Sequence, residues 1–326
     1  MGTIRRGCRP ILVTGMARSG TTWVGQILAA SGELGYIDEP FNRSPTHGGS
    51  IRFPVDYGYT YITAENEQRF LPALVPALRF EYPLARQLAR CHNRTQLRKT
   101  LSSWRGFVRS RGRRPLVKDP NAVFSADWFM RRLASDVVVV VREPLAVVGS
   151  WKRLGWSFDF TDLLDQAALM RDWLGRFEPQ MSAARQAPWG LVDNVSLLWH
   201  VIHAVVADER FPHVHLVRHE DLSRDPLGEY AKLYDTLGLT FTDAVAEAVV
   251  TSSSGENRAE TRIEKPYDTV LDSKANLENW RYRLRDDEIV RIRQLTQKTA
   301  AYYYPTPLGS GGRSSRHDPA VDPAAR

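Results

Sequence analysis

A short apolar segment followed at once by a loop of small residues constrains this chain more than any other feature. Residues 10–14 read Pro-Ile-Leu-Val-Thr, residues 15–22 read Gly-Met-Ala-Arg-Ser-Gly-Thr-Thr, and apolar residues at helical spacing follow from Trp23. The pattern predicts a strand, a loop and a helix in direct succession. Such a loop directs backbone N–H groups and a helix N-terminus at one point, and that geometry binds an anion, most often a phosphate.

The loop has the glycine spacing of a Walker A phosphate-binding loop but lacks its lysine. Four residues separate Gly15 from Gly20, and Thr21 occupies the position at which a nucleoside triphosphatase has lysine. Without that lysine the charge of a γ-phosphoryl group would be poorly neutralised. The sequence therefore favours a ligand with a less charged terminal group, and Arg18 offers a guanidinium for its phosphate or sulfate oxygens.

Six consecutive residues of the loop carry a resemblance to a known family: Arg18, Ser19, Gly20, Thr21, Thr22 and Trp23. This run is similar to the 5′-phosphosulfate loop of sulfotransferases that use 3′-phosphoadenosine 5′-phosphosulfate (PAPS). The resemblance implies that PAPS is the co-substrate and that these residues hold its 5′-phosphosulfate.

A second motif consists of Arg142, at the end of an apolar run, and Ser150, eight residues later in a predicted helix. Eight residues are close to a whole number of turns at about 3.6 residues per turn, so Ser150 lies on the same helix face as the start of the segment. The two side chains could bind one phosphate from two sides. In the sulfotransferase family an arginine and a serine at this spacing hold the 3′-phosphate of PAPS, and the resemblance implies that role for Arg142 and Ser150.

Strands are predicted over residues 10–14, 34–37, 116–118, 136–142 and 213–217. Helices are predicted to begin at Thr22, at Ser125 as an N-cap and at Pro144, and to span 161–177, 194–209 and 286–302. The five consecutive valines at 137–141 are typical of a strand that is buried on both faces of a parallel sheet. We therefore expect an α/β fold, a doubly wound parallel sheet with a P-loop-like nucleotide-binding core. Ligands of such sheets bind at the carboxyl ends of the strands, where Gly15, Lys118 and Arg142 fall.

We expect one sulfotransferase-like α/β domain over residues 1–304. The segment of about 42–112 begins with a long aperiodic stretch rich in proline, glycine and aromatic residues, and we interpret it as an insertion that shapes the acceptor site. Small, polar and proline residues dominate 305–326, which predicts a disordered tail.

The resemblance also bears on the catalytic residues. Lys118 precedes Asp119-Pro120, where one branch of the family has Lys-Thr-His with the histidine as general base, so the base must come from elsewhere here. Carbohydrate and tyrosine sulfotransferases, bacterial ones included, have a catalytic glutamate shortly after the first helix, which implies Glu39. If the second strand lies beside the first, Glu39 is within reach of the loop. Asp119 is the competing base, and a purely structural salt bridge from Glu39 to Arg18 or Lys118 is the alternative.

A third element lies near the C-terminus, from Ser273-Lys274 to Asn279-Trp280-Arg281. It is similar to a family loop that covers the adenine and the 3′-phosphate, which implies cofactor contacts for Lys274 and Trp280. A tryptophan can stack on a base. The alternative is that Trp280 anchors the final helix in the core.

Composition excludes several classes of protein. The chain has 326 residues and a formal net charge of +7, but no basic block with interleaved aromatic residues, so we expect no nucleic-acid partner. No apolar stretch reaches about 18 residues, so we expect no membrane span. Its two cysteines fit a reducing compartment, and we expect a cytoplasmic protein. His200 with His203, and His213 with His215, share element faces, yet no carboxylate pattern accompanies them and we expect no metal site.

The sequence thus predicts a PAPS-dependent sulfotransferase whose Glu39 accepts the acceptor's proton while Arg18 and Lys118 offset charge on the departing phosphate oxygen. The acceptor would be a carbohydrate, a phenol or a lipid-linked metabolite with a free hydroxyl. The main alternative is a P-loop kinase with a degenerate loop, in which Lys118 and Asp119 replace the missing lysine and bind magnesium. A nucleotide or polyanion sensor without activity is a third possibility, and the sequence does not indicate an oligomeric state.

Overall fold

The computed structural model describes residues 9–43, 53–89, 91–186 and 189–305. Within these residues five strands form one parallel sheet in the order β2-β3-β1-β4-β5. The strands are β1 (Ile11–Gly15), β2 (Leu34–Asp38), β3 (Arg114–Lys118), β4 (Asp136–Val141) and β5 (His215–Arg218). The predicted doubly wound parallel α/β sheet is confirmed.

Fifteen α-helices connect and cover the strands in the described part of the chain. They are α1 (Thr21–Ala29), α2 (Leu71–Leu78), α3 (Leu84–Leu88), α4 (Arg94–Ser110), α5 (Ala126–Leu133), α6 (Pro144–Leu154), α7 (Thr161–Leu164), α8 (Ala167–Leu169), α9 (Glu178–Gln186), α10 (Leu191–Val206), α11 (His219–Arg224), α12 (Pro226–Thr236), α13 (Asp243–Ser253), α14 (Trp280–Arg283) and α15 (Asp286–Tyr303). None of these described helices combines the length and the apolarity that crossing a bilayer requires.

The valines of β4 are buried on both faces of the sheet, as their sequence predicts. Val138 and Val140 belong to one apolar cluster, which includes residues of α1, α12 and α13. Val137, Val139 and Val141 belong to a second cluster with residues of α5, α6 and α10. The alternation follows from the two-residue period of side chains along a strand. Helices therefore cover both faces, and ligands have access at the ends of the strands.

The strand order places a crevice at the end of β1. Strands β2 and β3 lie on one side of β1, and β4 and β5 lie on the other. The connections diverge at this point, and open α/β sheets bind ligands where that happens. Gly15, Lys118 and Arg142 stand at or just beyond the carboxyl ends of three adjacent strands.

Some local details differ from the expectations. β2 pairs with β3 and not with β1, so the condition under which Glu39 was expected to reach the loop, a second strand beside the first, is not met. The predicted helix over 161–177 is broken into short segments, because the side chain of Gln166 bonds the backbone of Tyr59, Tyr61 and Asp162. Ser125 occupies the predicted N-cap position of α5, but its side chain makes no capping bond; its hydroxyl donates to the carbonyl of Thr60 and accepts from the N–H of Ile62.

The segment between β2 and β3 contains α2, α3 and α4, and Phe80 from this segment lies against Gly35 of β2. Its role as an insertion that shapes the acceptor site stays a prediction, as do the domain boundaries. The predicted tail beyond residue 305 lies outside the described residues.

The close approach of β1 to β4 generates a prediction about stability. Gly15 has a φ of 146°, and a Cβ atom there would lie 2.4 Å from the carbonyl oxygen of Val140. Because backbone atoms cannot yield, Gly15→Ala should lower the free energy of unfolding by at least about 3 kcal/mol in thermal or urea denaturation. Gly32→Ala is the matched control: its φ is 74° with open space around it, so it should cost about 1 kcal/mol. Equal losses in the two variants would contradict this account.

Candidate active site

The loop between β1 and α1 presents an uncapped helix N-terminus. Gly20 occupies the N-cap position with a φ of 103°, and no side chain accepts a hydrogen bond from the first turn of α1. Loop residue Arg18 also has a positive φ, of 76°. The hydroxyl oxygens of Thr14 and Ser19 are buried and have no hydrogen-bond partner among the described residues. Unsatisfied first-turn N–H groups together with the partial positive charge of the helix end favour a bound anion.

Arg142 and Ser150 are joined to this loop by direct hydrogen bonds. Arg142, 5% exposed, donates through Nη1 to the carbonyl of Arg18 at 3.2 Å and through Nη2 to the carbonyl of Asn276 at 3.4 Å. Its Nε is buried without a hydrogen-bond partner in the part of the chain described. Arg18 in turn donates through Nε to Oγ of Ser150 at 3.1 Å. The structure therefore brings both predicted phosphate sites together.

A cavity of about 240 Å³ connects these groups. It is lined by the loop residues Arg18, Gly20, Thr21, Thr22 and Trp23, by Arg142 and Ser150, and by Glu39. Burial, followed by the charge of Arg142, lowers the pKa of Arg18 to about 10. Burial also lowers the pKa of Arg142. Arg18 remains a cation at neutral pH, and an anion in the cavity would relieve the repulsion between the two guanidinium groups.

Lys118 holds two carboxylates at the edge of the cavity. Its Nζ lies 2.5 Å from Oε1 of Glu39 and 2.7 Å from Oδ1 of Asp38, and its side chain is 2% exposed. Burial lowers the pKa of Lys118, but Glu39 and Asp38 more than offset this, so the pKa lies above its ordinary value and Lys118 is a cation. One lysine thus faces two carboxylates, so Lys118, Glu39 and Asp38 together carry more negative than positive charge.

The carboxylate of Glu39 is held at both oxygens. Glu39 is the first residue after β2 and has a φ of 39°, and its N–H donates to the carbonyl of Lys118 at 2.8 Å. Oε1 contacts Lys118, and Oε2 accepts from Nδ2 of Asn42 at 2.6 Å. A left-handed backbone at a non-glycine residue is costly and persists where the surroundings enforce it. The turn directs Glu39 into the cavity, whereas Asp38 is not among the residues that line it.

The match to known proteins agrees with this geometry. A family model described as the sulfotransferase family matches residues 10–243, more than half of the chain. The chain belongs to the sulfotransferase family. The matched region contains the loop, Glu39, Lys118, Arg142 and Ser150.

Individual relatives match over short stretches. Carbohydrate sulfotransferase 1 of Danio rerio is 38% identical over 72 residues, which are 22% of this chain and 17% of that protein. Carbohydrate sulfotransferase 1 of Mus musculus is 33% identical over 86 residues, 26% of this chain and 20% of that protein. The chain thus matches at most a fifth of the length of these relatives. Among solved structures, the sulfotransferase domain from the curacin biosynthetic pathway is similar to this chain. The alignment covers 88% of this chain and 96% of that domain, with 14% sequence identity and a TM-score of 0.43.

Asp119, the alternative candidate for the catalytic base, is held in the interior by hydrogen bonds to the backbone. It is fully buried, and its two oxygens accept from the N–H groups of Phe41 and Asn121 at 2.6 and 2.9 Å. Burial, and then the charge of Glu39, raise the pKa of Asp119 to about 7. Asp119 is not among the residues that line the cavity, whereas Glu39 is, so the geometry favours Glu39.

The structure places Lys274 and Trp280 outside the set of residues that line the cavity. Lys274 is exposed, and Trp280 is buried against Gly149 of α6 with the guanidinium of Arg281 over its ring. This position fits the alternative that Trp280 is a core anchor. Trp23 does line the cavity, and its Nε1 donates to Oγ of Ser252 at 2.9 Å.

Sequence reasoning missed many of the residues that line the cavity, among them the charged or titratable side chains of Arg153, His219, Tyr267 and Arg283. His219 lies against Gly20, where an added Cβ atom would be 2.5 Å from its ring. Burial, with Arg142 and Arg18, lowers the pKa of His219 well below its ordinary value, so the ring is neutral. The one sequence signal that could have placed His219 at the site is its position at the start of α11, directly after the carboxyl end of β5.

His200 and His203, one of the two predicted pairs of histidines, have structural partners. Nδ1 of His200 lies 2.8 Å from the hydroxyl of Thr299, and His203 stacks on Trp199 with its Nδ1 at 2.7 Å from the carbonyl of that residue. Among the described residues, no three His, Cys, Asp or Glu side chains are grouped so that they could hold a metal ion.

The burial of His203 predicts a pH dependence of stability. Burial lowers its pKa to about 4, below the ordinary value of about 6.5, so the folded state binds fewer protons than the unfolded state between these values. The free energy of unfolding should therefore fall as the pH drops from 6.5 to 4, by up to about 1.4 kcal/mol per pH unit. Urea denaturation at pH 7 and pH 5 should show a smaller fall for His203→Asn, and the wild-type fall for the exposed control His213→Asn. The same fall in all three proteins would contradict the assignment.

Proposed function

We propose that this protein transfers a sulfuryl group from PAPS to an acceptor hydroxyl. The observation that carries the proposal is that the loop at α1 and the Arg142–Ser150 pair line one cavity and are joined by hydrogen bonds. PAPS has a phosphosulfate at one end and a 3′-phosphate at the other, so it needs two anion sites that share a nucleotide. The family match supports the same reaction.

The groups of the cavity fit such a donor. The uncapped N-terminus of α1, with the hydroxyls of Thr21 and Thr22, can donate to the phosphosulfate; Ser19, although predicted for this role, is fully buried and does not line the cavity. The unpaired Nε of Arg142 and the hydroxyl of Ser150 can donate to the 3′-phosphate. Trp23 also lines the cavity beside the loop and can contribute apolar contacts to the nucleotide. Because the transferred group carries less charge than a γ-phosphoryl group, we propose that no metal is required.

In the proposed step, the acceptor oxygen forms a bond to sulfur as the bond between sulfur and the phosphate oxygen breaks. The electron pair of the broken bond leaves with adenosine 3′,5′-bisphosphate, and the acceptor proton passes to Glu39. Asn42 and Lys118 hold that carboxylate in place. Lys118 and Arg18, both cations, offset the charge that develops on the departing oxygen.

We propose a carbohydrate, a phenol or a lipid-linked metabolite as the acceptor, and a cytoplasmic location. Support for a carbohydrate comes from the short matches to carbohydrate sulfotransferases, and support for the cytoplasm from the two cysteines. The kinase alternative has less support, because Lys118 and Asp119, its substitutes for the missing lysine and the magnesium ligand, are not among the residues that line the cavity.

Replacing Glu39 tests the assignment of the base. Glu39→Gln keeps the shape but removes the proton acceptor, so kcat for transfer of sulfur-35 from labelled PAPS to a panel of sugars and phenols should fall by about 100-fold or more. Binding of adenosine 3′,5′-bisphosphate should change little. Asp38→Asn is the matched control, since it also contacts Lys118 but does not line the cavity, and its loss should be much smaller. Equal losses in both variants, or full activity of Glu39→Gln, would refute the role of Glu39.

A further inference from the structure

An irregular segment, residues 254–273, runs across the cavity between α13 and the C-terminal helices; we call it the covering segment. Its residues Thr261, Pro266, Tyr267, Asp268, Thr269 and Leu271 line the cavity. Three polar contacts anchor it to the site. Arg153 of α6 donates to the hydroxyl and carbonyl of Thr261, Arg18 of the loop donates to the carbonyl of Pro266, and Thr269 donates to the side chain of Gln26 in α1 at 2.6 Å.

These anchors fix the position of Tyr267. The residue directly follows Pro266, whose carbonyl Arg18 holds. The ring of Tyr267 lies beside that of Trp156, with centroids 6.2 Å apart and planes at 41°. Trp156 in turn packs edge-on against Trp151, whose Nε1 donates to the carbonyl of Ala17 in the loop. Contacts on both sides thus join Tyr267 to the phosphosulfate loop.

The phenol of Tyr267 lies within the electrostatic field of the reacting groups. Burial raises its pKa, Glu39 raises it further, and Arg18 and Lys118 act in the opposite direction. The net shift is upward, so the hydroxyl keeps its proton at neutral pH and can act as a donor. Tyr267 lines the same cavity as Arg18 and Glu39, and a neutral donor there can serve an anionic group without adding a further charge.

We propose that Tyr267 is a further catalytic residue, whose hydroxyl donates a hydrogen bond to a non-bridging oxygen of the transferred sulfuryl group and whose ring shields the sulfur from water. This proposal rests on the proposed function. A preorganised donor at a group whose charge is redistributed in the transition state commonly contributes about 100-fold or more to kcat. Shielding matters because water is a competing acceptor: its attack on sulfur would break the same sulfur–oxygen bond and release sulfate and adenosine 3′,5′-bisphosphate.

The alternative is that Tyr267 only packs against Trp156 and holds the covering segment in place. Two substitutions separate these roles. Tyr267→Phe keeps the ring and removes the donor, whereas Tyr267→Ala removes both. Tyr282→Phe is the matched control, because Tyr282 is 87% exposed on α14 and does not line the cavity.

The experiment measures transfer of sulfur-35 from labelled PAPS to acceptors, release of labelled sulfate without acceptor, and the Kd for adenosine 3′,5′-bisphosphate. For Tyr267→Phe we expect kcat for transfer to fall by about 10-fold to 100-fold, with the Kd within twofold of wild type, because the bisphosphate has no sulfuryl group. For Tyr267→Ala we expect the ratio of sulfate release to transfer to rise at least fivefold. Tyr282→Phe should match the wild type in all three.

Wild-type kcat in Tyr267→Phe would overturn the catalytic role of the hydroxyl. A Kd that rises as much as kcat falls would show instead that Tyr267 holds the covering segment. An unchanged ratio of sulfate release to transfer in Tyr267→Ala would overturn the shielding role. A wild-type protein that binds no adenosine 3′,5′-bisphosphate and transfers no label would instead overturn the proposed function, and the role of Tyr267 with it.

Discussion

Two guanidinium groups that lie close together, Arg142 in the interior and Arg18 half-buried beside it, determine how this site can work. The charge of Arg142 lowers the pKa of Arg18, and burial lowers the pKa of Arg142 more than the charge of Glu220 raises it. The hydrogen bonds of the two guanidinium groups go to neutral oxygens, those of Ser150, Pro266, Asn276 and Arg18 itself. Buried cations are costly unless anions or well-placed acceptors compensate them. A nucleotide with anionic groups at both ends would supply that compensation, so the site is arranged for a ligand that is negatively charged at two points.

The sheet explains why these groups meet although they are distant in sequence. Parallel pairing of β1 with both β3 and β4 brings Gly15, Lys118 and Arg142 to one edge. Apolar clusters bury the valines of β4 on both faces of the sheet, and the ladder from the Ile11–Asp136 pair to the Gly15–Val140 pair sets β4 in register with β1. The core therefore sets the positions of the strand ends, and these in turn set where the following loops begin.

Much of the fold, and the residues that meet at the two proposed anion sites, could be predicted because their signals are local in sequence. The loop from Gly15 to Thr22 and the spacing of Arg142 and Ser150 lie within single strand–helix units, whose geometry follows from residue type. The covering segment could not be predicted, because it has irregular backbone and its contacts, such as that of Arg18 with Pro266, join residues far apart in the chain. The same reason explains why Asp38 was missed as the second partner of Lys118, and why the sequence could not choose between two places for Trp280.

The most direct test of the central claim is a calorimetric titration of the wild-type protein with three nucleotides: adenosine 3′,5′-bisphosphate, adenosine 5′-monophosphate and adenosine 3′-monophosphate. If the loop at α1 and the Arg142–Ser150 pair act on one nucleotide, the bisphosphate should bind at least about 10-fold more tightly than either monophosphate, a difference of about 1.4 kcal/mol. A bisphosphate that binds no more tightly than the better monophosphate would show that the two sites do not share a nucleotide.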